Sequence, residues 1–490
     1  MRSLLRQRLR AEERGIALIV VLGMMMVFTI SVTAAVTYST ASSTGSHISK
    51  SRQLARALAE AGINNASAVL NEPDNNAMLQ ATLPATEADA NVNAYEGGTA
   101  TWWGVLSGNV WTIHSIGQVA NNPTARHKLT AKIQIVSTTT YTPNTFAWNF
   151  IYAKKTGDPD GCDEYINHSI TLDTPIFVEG NLCLNNSVQL TQGPIVVKGS
   201  LRMLTSSSYV GSSGSPVSEL YVAGGCKVDG LTVAFRIPCK QGLAPTGDNV
   251  WASTISASPT SITAPTADFA GWYADSRTIN HSSDCTVLSG TPPTFDTNTV
   301  RDTSVGPTQN LTPTSSYTCR KVVNGVTVSE LSWNNSTKTL TIAGTIFIDG
   351  NVRINNGTLN RYDGRAALYT SGWFQIDSSV GMCAVDSGGS CAWNSWDPNT
   401  EMLAVVADGS NSGWGITMAS SSSFQGAFYA TYGVRLNAST HYDGPIVASE
   451  VDLTNSVITS DFPTIESLPE SMPATPNVHA TPQPVSTYGG

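Results

Sequence analysis

The sequence predicts a mainly β protein that combines a long N-terminal transmembrane α-helix, a β meander and a parallel β-solenoid. Three observations support this: an uncharged stretch at residues 16–36, β-prone alternation between residues 97 and 136, and a glycine-centred repeat beyond about residue 170. A β-sandwich is the alternative for the repeat region. The predicted domains are a leader at 1–15, a helix at 16–70, a meander at 71–150, a solenoid at 151–462 and a Pro-rich disordered tail at 463–490.

The first element is a membrane-spanning segment. Residues 16–36 are 21 consecutive positions without a charged side chain, long enough to cross about 30 Å of hydrocarbon at 1.5 Å per residue. An arginine-rich leader precedes them, so the positive-inside rule keeps the leader in the cytoplasm and exports the rest of the chain. The apolar run is not followed by an A-x-A cleavage pattern, so a removable signal peptide fits poorly.

The residues that flank this segment carry a family resemblance. Residues 14–22, Arg-Gly-Ile-Ala-Leu-Ile-Val-Val-Leu, resemble the start of a type IV prepilin-like protein. The resemblance implies cleavage between Gly15 and Ile16 and an apolar segment that becomes the first half of a long helix. Major pilins carry a glutamate five residues past the cut, where this chain has Val20. A buried amine without that partner is costly, which favours a sparse or terminal filament position.

A second motif follows at residues 51–63. This stretch resembles the R-x-x-A-x-x-x-A-E-A-G-[IL] box of PilX-type minor pilins. The two motifs together cover only the first 70 residues or so. A plain single-pass anchor with a juxtamembrane helix is the alternative. Periodicity predicts one continuous helix with a bend at residues 42–46 and an apolar stripe of Ile48, Leu54, Leu58, Ala61, Ala66 and Val69.

Composition indicates an exported protein without a nucleic-acid partner. Only 13% of residues are charged and the net charge is −9, which argues against binding to nucleic acid. All eight cysteines lie on the exported side, without a C-x-x-C pair or a histidine cluster, so disulfides are a better interpretation than zinc. We predict nearest-neighbour bonds, because each closes a local loop: Cys162 with Cys183, Cys226 with Cys239, Cys285 with Cys319, and Cys383 with Cys391.

The repeat has the template apolar, any, apolar, any, Gly, small, apolar, any, apolar. In one copy Val178, Leu182 and Leu184 are predicted to point inward, and Phe177 and Cys183 outward. Residues 240–335 lack the template and read as an insertion pinned by Cys285 and Cys319. Good copies begin at 176, 195, 220 and 346, and looser copies at 368, 403, 428 and 446. Such spacing with alternating apolar positions is typical of a parallel β-solenoid with glycine corners.

The sequence offers few candidates for chemistry. It lacks a nucleophile elbow, a phosphate loop and a metal-helix motif, and its seven histidines are scattered, so neither an enzyme nor a cofactor is predicted. Glu179, Asp349 and Glu450 fall near the same template corner, and parallel β-helices can carry carbohydrate-cleaving carboxylates, but solvated corner charges are favoured. Exposed aromatic residues are the preferred binding surface, with core packing as the equal alternative: Trp373, Phe374, Trp393, Trp396 and Trp414.

A weak calcium candidate lies in the acidic turn at residues 158–164. Four carboxylates cluster around a glycine there, but the full twelve-residue calcium loop is absent, so an acidic turn beside a disulfide is the default. The candidate ligands are Asp158, Asp160, Asp163 and Glu164.

The predicted function is a non-enzymatic minor pilin-like protein of a type IV pilus or related filament, active in filament priming, adhesion or both. Its expected partners are other pilins or pseudopilins, the assembly machinery, the membrane through residues 16–36, and a surface or polysaccharide ligand. It would wait in the inner membrane with its N-terminus inside before its exported domain reaches the surface. The alternatives are a membrane-anchored β-helix enzyme or adhesin acting on polysaccharide, and a structural surface protein with an unprocessed leader.

Overall fold

The chain forms two compact units in a computed structural model. The structure describes residues 2–72, 77, 79–158, 161–231, 234–287, 291–295, 308–393 and 395–489, with side chains in the first helix from Ile19 onward. Unit 1 contains residues 1–140 and 477–490, and unit 2 contains residues 141–476. In the sequence, unit 2 is therefore inserted between the two parts of unit 1.

Unit 1 begins with α1 (Arg2–Asn71), a single α-helix of 70 residues. The helix continues through residues 42–46, where a bend was predicted. Its described part is long and apolar enough to cross a membrane. Five threonine hydroxyls donate to carbonyls four residues earlier at 2.5 to 2.9 Å, which satisfies them inside an apolar segment; these are Thr29, Thr33, Thr37, Thr40 and Thr44.

The rest of unit 1 is an antiparallel sheet preceded by the 3₁₀ turn Gln80–Thr82. Its strands are β1 (Asn91–Tyr95), β2 (Gly98–Ser107), β3 (Val110–Val119) and β4 (Asn122–Thr142). They pair in chain order as a meander. A fifth strand, at the C-terminus of the chain, lies next to β4.

Unit 2 is a large β-solenoid, as the repeat predicts, and not a β-sandwich. It also contains helix α2 (Phe269–Ala274) and the 3₁₀ turns Ala147–Asn149 and Ser282–Asp284. Its strands are β5 (Ile151–Ala153), β6 (Glu164–Asn167), β7 (Thr171–Leu172), β8 (Ile176–Val178), β9 (Leu182–Asn185), β10 (Gln189–Leu190), β11 (Ile195–Val197), β12 (Leu201–Met203), β13 (Tyr209–Val210), β14 (Val217–Val222), β15 (Cys226–Val228), β16 (Ala252–Ser256), β17 (Cys285–Thr286), β18 (Thr308–Asn310), β19 (Tyr317–Val323), β20 (Val326–Asn334), β21 (Thr339–Ile348), β22 (Asn351–Ile354), β23 (Leu359–Thr370), β24 (Phe374–Ile376), β25 (Gly381–Cys383), β26 (Asp386–Ser387), β27 (Ser390–Cys391), β28 (Met402–Ala407), β29 (Trp414–Met418), β30 (Ser423–Gln425), β31 (Ala427–Ala430), β32 (Gly433–Leu436), β33 (His441–Asp443), β34 (Ile446–Ala448), β35 (Val451–Leu453) and β36 (Ile458–Ser460).

The rungs do not stack in chain order. On the first face, parallel pairing runs β16, β14, β11, β8, β5, β34, β31, β28, β23, β21. The first rung of the chain therefore lies in the middle of the stack and pairs with the last rung. The strands therefore form two blocks, β5–β16 before the predicted insertion and β21–β36 after it. The two blocks join where β5 pairs with β34. The insertion starts later than residue 240, because β16 belongs to the stack.

The template assigns the side chains correctly. Val178, Leu182 and Leu184 are fully buried inside the solenoid. Phe177 lies in a different apolar cluster, outside the first face, yet it is also fully buried. That cluster contains residues from 262–273, which belong to the predicted insertion, and from 465–472, which belong to the predicted tail. These two segments cover the first face, so its outer apolar positions are shielded from water.

The glycine corners stack directly on one another. Gly199 donates its N–H to the Gly180 carbonyl at 2.9 Å, and Gly224 donates to Gly199 at 2.8 Å. A Cβ atom on Gly199 would lie 2.6 Å from the Gly180 oxygen, which is too close for any side chain. The template needs glycine because neighbouring backbones touch at this corner.

The four disulfides have the predicted nearest-neighbour pairing. Cys162 bonds Cys183, Cys226 bonds Cys239, Cys285 bonds Cys319, and Cys383 bonds Cys391. The bond between Cys285 and Cys319 joins β17 to β19, which pair antiparallel. Each bond closes a loop of at most 34 residues, so each one staples local structure.

The tail at residues 463–490 contains an extended segment. Its last part is strand β37 (Thr475–Gly489), at the edge of the unit 1 sheet. Pro476, Pro482 and Pro484 lie an even number of residues apart, so their missing N–H groups fall on one side of the strand. Proline is tolerated on the unpaired side of an edge strand, so these residues are compatible with pairing on the other side.

We expect residues 141–476 to fold when they are expressed alone. The ends of this segment are bonded to each other: Asn144 donates to the Thr475 hydroxyl at 2.9 Å, and the Trp148 indole donates to the Pro473 carbonyl at 3.0 Å. The expected result is a cooperative thermal transition within about 4 °C of the one that unit 2 shows in the full chain, measured by circular dichroism. A broad, non-cooperative transition would contradict this expectation.

Candidate functional site

The first candidate site is the exposed apolar half of α1. Large apolar side chains between Ile19 and Val36 are mostly more than half exposed, with Ile19 at 72% and Phe28 at 69%. Water disfavours such a surface by roughly 25 cal/mol per Å², so lipid or other helices must cover it. Val20 lies in this surface at 50% exposure. Gly15 and Ile16 lie earlier in the same helix, before the described side chains.

The second half of α1 packs on the unit 1 sheet through small residues. Ala55, Ala59, Gly62 and Ala66 recur at helical spacing and are all buried. Opposite them, a Cβ atom on Gly117 of β3 would lie 1.9 Å from the Ala55 carbonyl oxygen. The helix backbone therefore touches the strand backbone. This contact gives the small residues of the 51–63 box a structural purpose.

The predicted stripe on α1 is only partly buried. Leu58 and Ala66 are buried, Leu54, Ala61 and Val69 are half-buried, and Ile48 is 46% exposed. The contact face is centred on alanine and glycine and not on the larger side chains, because backbone contact excludes bulk.

The second candidate site is a cleft where the two solenoid blocks meet. On the first face, β34 pairs with β5. On the third face, which includes β7, β10 and β13, β36 pairs with β7, so both faces are continuous where the blocks meet. On the second face, β6, β9, β12 and β15 form one sheet and β35 belongs to another. The Val451 N–H at this gap donates to the Glu164 carboxylate at 3.1 Å. A side chain thus accepts the hydrogen bond that strand pairing supplies elsewhere.

Glu164 occupies a position that is apolar in the next rungs. It is in register with Leu182, which is in register with Leu201 and then Cys226. The residue is 4% exposed. Burial raises the pKa of Glu164 to about 8; the charges of Glu450 and Asp452 also raise it, while the Val451 N–H and Lys155 lower it. A buried carboxyl with a displaced pKa in a cleft is a candidate functional group.

The walls of the cleft are polar and aromatic. Lys155 contacts Asp158 and Glu450, each at 3.2 Å. Arg435 contacts Asp452 at 2.7 Å, and its guanidinium carbon lies 4.2 Å from the ring centroid of Trp414. The cleft has a volume of about 240 Å³ and is lined by Lys155, Cys162, Asp163, Glu164, Tyr165, Trp414, Glu450, Val451 and Asp452.

The acidic turn at residues 158–164 has a structural role. Asp163 is buried and accepts hydrogen bonds from the backbone N–H groups of Asp158, at 2.6 Å, and Asn181, at 2.7 Å. Asp160 lies outside the described residues. Within the described part of the chain, no group of three acidic, histidine or cysteine side chains could hold a metal ion, so the calcium candidate gains no support.

The three corner acids do not converge. Glu179 accepts from the Tyr152 hydroxyl and pairs with Lys198 at 2.6 Å. Asp349 follows β21, six strand steps from Glu179, which corresponds to roughly 29 Å at 4.8 Å per step. Glu450 lies one template position later, in the cleft. Hydrolysis of a glycosidic bond needs two carboxylates within about 10 Å, so Asp349 is too far from Glu179 to form such a pair with it.

The five aromatic candidates separate into core and surface. Phe374 and Trp396 are almost fully buried, and the Trp396 indole donates to the Glu401 carbonyl at 2.7 Å, so a surface role for these two is wrong. Trp373 is half-buried, and Trp393 stacks on His441 with ring centroids 3.4 Å apart. Trp414 lines the cleft.

The sequence does not predict the cleft, because the cleft depends on the order in which the rungs stack. One signal was available: Glu164-Tyr165-Ile166-Asn167 aligns with Leu182-Cys183-Leu184-Asn185 as a further copy of the second-strand pattern. In that alignment a glutamate takes an inward apolar position. An acid at a buried, normally apolar position of the template is unusual, and it therefore indicates a candidate site.

Comparisons with known proteins include a similar solved structure. No protein-family model and no curated protein sequence matches the chain. The chain is similar to the crystal structure of the competence-associated pilin ComZ from Thermus thermophilus, with 14% sequence identity and a TM-score of 0.39. The match covers 90% of this chain and 97% of that one.

Proposed function

We propose that this chain is a non-enzymatic minor pilin-like protein of a type IV pilus or related filament. The observation that carries the proposal is α1. One continuous helix exposes an apolar half and packs its other half on the unit 1 sheet through Ala55, Ala59 and Gly62. The exposed half is suited to a membrane before assembly and to a bundle of similar helices afterwards, and the packed half ties it rigidly to the exported part.

The size of unit 2 and the residue at position 20 favour a sparse or terminal place in the filament. Unit 2 has 336 of the 490 residues and would crowd a shaft built from closely spaced subunits. Val20 supplies no carboxylate for a neighbouring N-terminal amine. Priming of assembly, adhesion, or both are the roles we propose, with other pilins, pseudopilins and the assembly machinery as partners. The membrane anchor is residues 16–36.

Leader processing tests the proposal. We expect the mature protein to begin at Ile16, and the variant Gly15→Val to keep residues 1–15, because a branched side chain replaces the glycine at the cut. The measurement is intact mass spectrometry of membrane fractions. Gly23→Val is the matched control, since open space surrounds Gly23, and its leader should be removed as in the wild type.

A wild-type protein that retains its leader would favour a plain anchored surface protein. Deletion of the chain gives an independent readout. We expect fewer or no surface filaments after deletion, restoration by the wild type, and no restoration by Gly15→Val. Normal filament numbers and unchanged adhesion after deletion would contradict the proposed roles.

A further inference from the structure

The cleft between the solenoid blocks carries an excess of negative charge. Glu450, Asp452 and Asp163 line it, whereas Lys155 is the basic residue of the lining and Arg435 contacts Asp452. The surrounding unit does not offset this charge, because residues 141–476 contain 16 Lys and Arg but 28 Asp and Glu. A positively charged ligand would therefore be attracted over the approach as well as inside the cleft.

The acidic side chains of the cleft have oxygen atoms that can accept further hydrogen bonds. Lys155 contacts Oε2 of Glu450, and Arg435 contacts Oδ2 of Asp452, which leaves a second oxygen on each. The two Glu164 oxygens share one donor, the Val451 N–H, at 3.3 and 3.1 Å, whereas a carboxylate can accept about four hydrogen bonds. A matching ligand must bring N–H groups.

Aromatic rings complete the walls. Tyr165 is 42% exposed, and Trp414 already holds the guanidinium of Arg435 at 4.2 Å from its ring centroid. Indole and phenol rings attract cations through their faces. Gly433 allows the indole to lie against β32, since a Cβ atom there would come within 2.5 Å of the ring. The volume of about 240 Å³ suits one long side chain or a linear amine.

We propose that this cleft binds an alkylammonium or guanidinium group, presented by a basic peptide segment or by a free polyamine. The excess of negative charge, the spare hydrogen-bond acceptors and the exposed phenol ring of Tyr165 fit that chemistry. This proposal also gives a role to Glu164, the buried acid that interrupts an apolar column where the two blocks meet. The inference stands independently of the filament role.

Binding should release a proton at pH 7. Glu164 is protonated at that pH because burial raises its pKa to about 8. A cation next to the carboxyl group stabilises its ionised form and lowers the pKa, so the carboxyl proton passes to the buffer. A neutral sugar or a non-specific surface contact would not produce this coupling.

Calorimetry on the full chain in detergent tests the inference. We use spermidine and a pentalysine peptide as probes at about 0.15 M salt, where surface attraction is screened. We expect one saturable site, and the observed heat should depend on the ionisation enthalpy of the buffer, giving release of up to about one proton. The tighter of the two probes identifies the source of the group.

Two variants and a control locate the site. The double variant E450Q/D452N should weaken binding at least about tenfold, or 1.4 kcal/mol, while E466Q removes an exposed charge outside the cleft and should change affinity less than about twofold. E164Q should bind without releasing a proton. Absence of saturable binding, equal losses in E450Q/D452N and E466Q, or unchanged proton release in E164Q would each overturn the inference. Thermal transitions confirm that the variants are folded.

Discussion

Gly117→Ala should destabilise unit 1 by about 3 kcal/mol or more, the upper end of overpacking costs. The new Cβ atom would lie 1.9 Å from the Ala55 carbonyl oxygen and 2.5 Å from the Ala59 nitrogen. Both are backbone atoms of α1, so only displacement of the helix from β3 can relieve the clash. The measurement is thermal unfolding of the full chain in detergent, followed through protease cleavage within residues 79–140.

Two companion substitutions separate backbone clash from loss of glycine. Gly62→Ala would bring a Cβ atom within 2.1 Å of the Ser115 hydroxyl, a side-chain atom that can rotate, so we expect a loss of about 1–2 kcal/mol. Adding Ser115→Ala should recover most of that loss. Gly45→Ala faces open space on α1 and should stabilise the helix by up to about 1 kcal/mol. Wild-type protease resistance in Gly117→Ala would show that backbone contact does not hold the helix.

Local patterns explain why much of the fold could be predicted. The template from Ile176 to Leu184 identifies inward positions because side chains alternate along a strand, and both of its strands contribute buried residues. The glycine in its middle follows from corner stacking. Nearest-neighbour disulfides were predictable for the same reason, since each bond joins cysteines close in sequence.

Long-range pairing explains what could not be predicted. No local pattern in residues 151–153 indicates that β5 pairs with β34, almost 300 residues away. Strand β37 likewise depends on an open edge of the unit 1 sheet, and its prolines read as disorder until the paired side of the strand is known. The cleft inherits this difficulty because it exists only once the two blocks meet. Of the calcium candidates, Asp163 and Glu164 both line the cleft.

Glu164→Gln should stabilise unit 2 at pH 8 and leave its stability almost unchanged at pH 4. Glutamine keeps an oxygen that can accept the Val451 N–H, but it carries no charge to bury. The wild-type group has a folded pKa of about 8 and an ordinary value of 4.5. Each unit of pKa difference corresponds to about 1.4 kcal/mol, so the effect at pH 8 is on the order of 3–5 kcal/mol.

The sign follows from proton binding in the two states. Between pH 4.5 and about 8 the folded protein keeps the Glu164 proton while the unfolded chain has lost it, so the free energy of unfolding falls as pH rises. Above about pH 8 both states are ionised and this dependence ends. In Glu164→Gln, the part of this pH dependence of the unfolding free energy that Glu164 causes should be absent.

Asp443 supplies a second contribution of the same sign, which the experiment must separate. It is 1% exposed, and burial raises its pKa to about 7. Asp443→Asn should therefore remove a smaller part of the slope, and the double variant should remove both parts, because the two groups lie on different faces of the solenoid and should add. Thermal unfolding at pH 4, 6 and 8 measures these differences, with Glu466→Gln as the exposed control. If Glu164→Gln and Glu466→Gln have the same pH dependence, the carboxyl in the cleft is hydrated and ionised at neutral pH, and the gap between β6 and β35 admits water.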